Sequence, residues 1–192
     1  MTYLILGLVL FIGAHAFRIV AQEWRDRLRT RVGDTRWRLV ISVVSLAGLA
    51  IMVWGFGLAR QTPMQVWAPP VAMRHLAALL TLPAFVLLAG AYVPGNVLKA
   101  RLGHPMVLSV KLWALAHLLA NGNLHHIVLF GSFLLWSVLS FRAARLRDRR
   151  MGTEVLPVKR GATLVTVLLG VSLWLAFTLW LHGLLIGVRP LG

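Results

Sequence analysis

The sequence predicts an all-α fold, a polytopic integral membrane helical bundle of about six transmembrane helices. Its hydrophobic content of 59% and mean hydropathy of +0.80 over 192 residues are far too apolar for a soluble domain with one core. The apolar residues are also grouped in runs of about 20, the length that crosses about 30 Å of hydrocarbon. Basic residues fall between these runs, as expected for loops at a membrane surface.

Five apolar runs are long enough to cross a bilayer, and a sixth is shorter. The long runs cover residues 2–20, 37–59, 75–98, 124–142 and 161–187. The short run covers residues 106–120 and reaches only about 22 Å as a helix. We expect the short run to be enclosed by other helices, or to continue into the next one through residues 121–123. Residues 1–192 are predicted to form a single domain.

The charge pattern predicts the orientation in the membrane. The chain has 20 Lys and Arg against 5 Asp and Glu. Segments 21–36, 99–105 and 143–160 are basic, whereas segments 60–74 and 121–123 and the tail are nearly bare. The positive-inside rule makes the basic loops cytoplasmic and both termini periplasmic. The net charge of +15 therefore indicates topology and contact with anionic lipids, and argues against binding to nucleic acid.

Two histidines lie inside predicted spans, His15 in the first run and His117 in the short run. An ionisable residue is costly in hydrocarbon and usually functional, and neutral imidazole is a common ligand of haem iron and other metals. Counting residues from each membrane face places both rings near mid-membrane, where they can ligate one iron from opposite sides. The alternative is that both form structural hydrogen bonds between helices.

Three further residues are candidates because they share a helix face with these histidines. Arg18 follows His15 by three residues, and either pairs with a haem propionate or extends to the cytoplasmic interface. Trp113 precedes His117 by four residues and is expected to line its pocket. Asn121 follows His117 by four residues; the alternative is that Asn-Gly simply ends the helix.

The remaining histidines fall near predicted helix ends. His104 lies between Gly103 and Pro105, which indicates a helix start and a capping or interfacial role. His75 opens the third run. An alternative to ordinary interfacial positions is a metal cluster at the outer face, formed by His75, His125, His126 and His182.

Two absences narrow the chemistry. The chain has no cysteine, so disulfides and thiolate chemistry are excluded. All five acidic residues fall in the basic loops: Glu23, Asp26, Asp34, Asp148 and Glu154. With no carboxylate in a predicted span, the sequence argues against proton-coupled transport and against hydrolysis by paired acids.

Several motifs resemble the NnrU family: Gly13-Ala14-His15-Ala16-Phe17-Arg18, Ala91-Tyr92-Val93-Pro94-Gly95-Asn96, His104-Pro105-Met106, residues 112–122 around His117, and residues 129–133. The resemblance runs along nearly the whole chain. This family is associated with bacterial denitrification and is related to the plant zeta-carotene isomerase, a haem b membrane enzyme that converts a cis double bond to trans. The resemblance implies a multi-pass protein of the bacterial inner membrane that binds haem b. It also implies that His15 and His117 are the ligands of the haem iron and the catalytic residues of the protein.

One position departs from the plant isomerase, which has a cysteine where this chain has Ala114. A thiolate cannot replace a histidine ligand here. An open coordination position would have to arise by loss of a histidine on reduction, with His104 or His75 as substitutes. Two functions therefore stay open: a redox-dependent cis/trans isomerase of an apolar polyene, and a non-enzymatic haem protein that binds nitric oxide or supports nitrite and nitric oxide reduction.

Overall fold

The computed structural model of the chain describes residues 1–152 and 157–191, without the Arg18 side chain. The predicted pairing of Arg18 and the position of Glu154 lie outside this part. The described residues are helical, with no strand among them. They form two compact units: unit 1 consists of Met1–Trp67 and Gly122–Ser140, and unit 2 of Ala68–Asn121 and Phe141–Gly192.

The helices follow the predicted apolar runs and add two short helices in predicted loops. Their bounds are α1 Thr2–Val20, α2 Gln22–Val32, α3 Asp34–Ala59, α4 Ala72–Tyr92, α5 Val97–Leu102, α6 Pro105–Ala120, α7 Leu124–Met151, α8 Arg160–Ala176, a π-helical turn Phe177–Leu181, and α9 His182–Ile186. The added helices are α2 and α5. The last three segments form one continuous helical stretch from Arg160 to Ile186.

In the part of the chain that the structure describes, four stretches are long and apolar enough to cross a membrane: α3, α4, α7 and Arg160–Ile186. A fifth is added if α1 and α2, which meet at a bend of 87°, count as one broken span. The 16 residues of α6 extend only about 24 Å. The structure therefore supports a membrane protein with four or five spanning helices, while the sixth span and the periplasmic termini stay predictions.

The distribution of side chains is that of a membrane protein. Many large aliphatic side chains are exposed, and Leu46 and Leu184 are 65% and 80% exposed. The buried positions instead include small polar residues: Asn96, Ser109, Ser137, Thr166 and Thr178. Helices in lipid gain little from hiding leucine, and they associate through small residues and hydrogen bonds.

In unit 1, α1 and α3 pack so closely that the backbone of α1 lies against glycines of α3. A Cβ atom added to Gly48 would lie 2.7 Å from the backbone nitrogen of Phe11, and one added to Gly55 would overlap the backbone of Leu4. Glycine therefore permits this contact. Residue numbers rise along α3 as they fall along α1, so the helices are antiparallel and Ser45 lies at the level of His15.

The first part of α7 completes unit 1. Val128, Leu129 and Phe133 pack against the core formed by Leu4, Leu8 and Met52. The segment before α7 pairs with the segment after α3, because the Leu124 amide donates to the Met64 carbonyl oxygen at 2.8 Å. Two segments with few charges therefore meet at one end of unit 1.

In unit 2, Asn96 joins α4 to α5. Its Nδ2 donates to the Gly90 carbonyl oxygen and its Oδ1 accepts from the Lys99 amide, both at 2.8 Å. Asn96 is fully buried, and these bonds satisfy both the donor and the acceptor of its side-chain amide. The preceding Gly95 has φ +75°, a conformation that favours glycine, and accepts a hydrogen bond from the Lys159 amide. The Pro-Gly-Asn motif thus has a structural explanation.

The α8 helix packs against α4 through one close approach and one hydrogen bond. Gly170 lies against Val86, where an added Cβ would be 2.9 Å from the valine Cγ2. The Trp174 indole donates to the Thr81 hydroxyl at 3.1 Å, and this hydroxyl donates to the Ala78 carbonyl oxygen. These contacts fix one wall of the cavity described next.

Candidate functional site

Unit 2 encloses a cavity of about 590 Å³ between α4, α6 and the C-terminal helical stretch. This volume is typical of a site for a small molecule or cofactor. Apolar side chains form much of the wall: Ala77, Ala84, Phe85, Leu88, Trp113 and Phe177. The polar lining consists of Arg74, Thr81, Ser109, His117, Asn121, Thr178, His182 and Arg189.

His117 lies in the α6 wall of the cavity. Its Nδ1 is 2.8 Å from the carbonyl oxygen of Trp113, one turn earlier. A carbonyl oxygen only accepts, so Nδ1 carries the hydrogen, and in the neutral ring Nε2 holds the lone pair. Ligand histidines are commonly oriented by such a bond to a backbone carbonyl.

Trp113 and Asn121 line the same cavity as His117. The Trp113 ring centroid is 5.1 Å from that of His117. Asn121 ends α6, and its Nδ2 donates to the His117 carbonyl oxygen at 2.9 Å. Asn121 therefore does both things that the sequence offered as alternatives: it ends the helix, and it lies on the His117 side, in the cavity wall.

His182 also lines the cavity, whereas the sequence predicted it only as a member of the alternative outer-face metal cluster. It follows the π-helical turn Phe177–Leu181, and its ring centroid lies 6.5 Å from that of His117, with 23° between the planes. Its Nδ1 donates to the Val188 carbonyl oxygen at 2.6 Å. A π-helical turn inside an α-helix often marks a functional position.

His15 lies in unit 1 and is exposed within it. Its Nδ1 donates to the carbonyl oxygen of Phe11 at 2.7 Å, the bond that His117 makes to Trp113. The Trp136 ring is 6.1 Å from the His15 ring, edge to face. Since His15 and His117 belong to different units, their pairing on one iron stays a prediction.

The remaining histidines have structural surroundings. His104 is the N-cap residue of α6, which confirms the predicted helix start. Its side chain makes no capping hydrogen bond, and its Nε2 instead lies 2.9 Å from the Asp148 Oδ2. His75 is exposed and does not line the cavity. His125 is 3% exposed, with its ring edge against Phe56. Within the described residues no three metal-ligating side chains come together, so the outer-face metal cluster is not formed by them.

The comparison with known proteins assigns the family. The sequence matches the family described as NnrU protein over residues 3–190. Neither a curated protein nor a solved structure matches the chain. Because the family match covers nearly all of its residues, this chain belongs to the NnrU family.

Proposed function

We propose that this NnrU-family membrane protein binds haem b, and that His117 in the wall of the unit 2 cavity and His15 would hold its iron. The observation that carries the proposal is the bond from His117 Nδ1 to the Trp113 carbonyl oxygen, in the wall of a cavity of about 590 Å³. In this tautomer the lone pair that can bind a metal is on Nε2. Family membership fits a membrane protein linked to denitrification.

The donor set agrees with haem better than with a bare metal ion. A structural metal site needs several protein ligands, and the described residues hold no cluster of three. Haem iron is held in its macrocycle and takes only axial ligands from the protein. The two histidines that line the cavity, His117 and His182, are too few to hold a free ion, whereas one of them is enough for a protein ligand of haem iron.

The surroundings of His15 also favour a bound group. The Ser45 hydroxyl oxygen and the Trp136 indole nitrogen are buried with no hydrogen-bond partner among the described residues. Ser45 lies at the level of His15, and Trp136 contacts its ring edge to face. Buried donors are normally satisfied, so a ligand with acceptor atoms beside His15 would complete both of them.

Two activities follow from such a site. Bound ferrous haem would supply a Lewis acid for cis/trans isomerisation of a polyene double bond. The chain itself would supply apolar walls that admit a hydrocarbon and exclude water. The second candidate is a haem protein without turnover that binds nitric oxide or supports nitrite reduction. Ala114 favours this candidate, because it is fully buried and leaves no thiolate to replace a histidine ligand.

The proposal extends to the surroundings of the protein. We place it in the bacterial inner membrane, where the basic loops would contact anionic lipid headgroups. No contact with nucleic acid is proposed, because the basic residues are distributed as topology signals.

The first test is the absorption spectrum of the purified protein, oxidised and then reduced with dithionite. We expect a six-coordinate b-type spectrum in the wild type and its loss in His15→Ala and in His117→Ala. His75→Ala is the matched control for the oxidised spectrum, since His75 is exposed, lies outside the cavity and is a predicted substitute ligand only after reduction. A wild-type protein that stays colourless when haem is supplied during expression contradicts the proposal.

The second test separates the two activities. Reduced protein is mixed with a cis-polyene and, separately, with nitric oxide. Conversion to the trans isomer, absent in His117→Ala, supports the isomerase. A shift of the ferrous spectrum by nitric oxide without conversion supports the accessory role.

A further inference from the structure

Two arginines line the cavity of unit 2. Arg74 lies in the first turn of α4, and Arg189 lies in the tail after α9. Among the described residues that line the cavity, none has a carboxylate side chain. Arginine stays charged at any physiological pH, so this apolar cavity carries two positive charges on its lining.

The described side chains of unit 2 offer no carboxylate partner to these two arginines. Asp148 is the acidic residue in the described part of this unit, and it contacts His104 at 2.9 Å. Neither Arg74 nor Arg189 forms an ion pair within the described residues. Their guanidinium groups are therefore available to an anion that enters the cavity.

The tail is fixed at the cavity by a specific contact. Gly187 has φ +76° and reverses the chain after α9, and the His182 Nδ1 then donates to the Val188 carbonyl oxygen. The next residue is Arg189, whose Cγ lies 3.4 Å from the Cβ position of Gly183. The His182 bond thus ties α9 to the residue that precedes Arg189.

We propose that the cavity binds an apolar molecule that ends in a carboxylate, and that Arg74 and Arg189 receive this carboxylate. A guanidinium binds a carboxylate through two parallel hydrogen bonds, and the apolar walls suit a hydrocarbon or flat ring system. Two sources share this chemistry: the propionates of haem b and a long-chain fatty acid. The first source rests on the proposed function, and the second is independent of it.

The experiment measures binding to the full chain purified without haem. The probes are haem b, haem b dimethyl ester and the fluorescent fatty acid cis-parinaric acid. The variants are Arg74→Gln and Arg189→Gln. Arg101→Gln is the matched control, because Arg101 is an exposed arginine of unit 2 that does not line the cavity.

We expect each cavity variant to weaken haem b binding about tenfold, the usual value of a hydrogen bond to a charged group. Binding of the dimethyl ester should stay at its wild-type level, which also shows that the variants are folded. Arg101→Gln should change neither probe. Arg74→Lys should recover part of the lost affinity, since lysine keeps the charge without the bidentate geometry.

The remaining results separate the two proposals. If the wild type binds cis-parinaric acid but no haem, and both variants weaken it, the carboxylate site stands and the haem proposal fails. Wild-type affinity of both variants for haem b and cis-parinaric acid overturns the carboxylate site. Equal weakening of haem b and its ester overturns it too, and so does a wild type that binds none of the probes.

Discussion

At the scale of single residues, the contact between His104 and Asp148 links the start of α6 to the end of α7 within unit 2. The His104 Nε2 and the Asp148 Oδ2 are 2.9 Å apart, and the two side chains are 30% and 27% exposed. Partial burial protects the pair from water and salt, and Gly103 makes the turn beside it with φ +76°. The contact therefore holds two basic segments together.

We expect His104→Ala and Asp148→Asn each to lower the free energy of unfolding by about 1 kcal/mol, the upper end for pairs that are not fully buried. The double variant should lose less than the sum, because both substitutions remove the same contact. The measurement is a double-mutant cycle by denaturant unfolding in detergent micelles. Strict additivity would show that the two groups do not interact.

The contacts of the candidate site residues differ in how far they could be predicted from the sequence. The Nδ1 bonds of His15 and His117 reach the carbonyl one turn earlier, so they depend on the helix alone and follow from the predicted spans. The bond of His182 crosses the turn at Gly187 to Val188. Arg74 and Arg189 look like ordinary loop charges in the sequence, and only the folded tail brings Arg189 to the cavity.

At the scale of helices, the α1–α3 contact depends on glycines at defined positions. Gly55 lies against the backbone of Leu4, whereas Gly57, two residues later on the same helix, has nothing within 4 Å of its Cβ position. A methyl group at residue 55 must therefore separate the helices, while the same group at residue 57 meets no neighbour. The pair offers a test that keeps helix propensity constant.

We expect Gly55→Ala to lower the free energy of unfolding by about 1–3 kcal/mol through overpacking. Gly57→Ala should be neutral or raise it by up to about 1 kcal/mol, because alanine favours the helix. Both are measured by unfolding in mixed micelles. If the two substitutions have the same effect, the close packing of α1 and α3 is wrong.

The helices themselves were largely predictable, because long apolar runs determine spans. The differences lie where the chain is short or polar. The segment Gln22–Val32 was predicted as part of a loop, but it forms α2, since its arginines and leucine have adequate helix propensity. The π-helical turn Phe177–Leu181 has no signature in the sequence.

At the scale of the whole chain, segments with the same predicted charge lie together within each unit. In unit 2, the segment around Gly95 and His104 meets Lys159 and Asp148, so two predicted basic loops lie together. In unit 1, the segments at Met64 and Leu124, both predicted to be bare, are hydrogen-bonded. Local pairing thus follows the charge pattern, whereas the side of the membrane depends on the positive-inside rule alone.

The chain has no cysteine, so a single introduced cysteine reports the membrane side of its own position. Val71 and Arg101 are both exposed in unit 2 and lie beyond opposite ends of α4. In intact bacterial cells with a permeabilised outer membrane, an impermeant maleimide should label Val71→Cys and spare Arg101→Cys. Inverted inner-membrane vesicles should give the reverse pattern. The opposite labelling in both preparations would invert the predicted orientation, and labelling of both positions from one side would exclude α4 as a span.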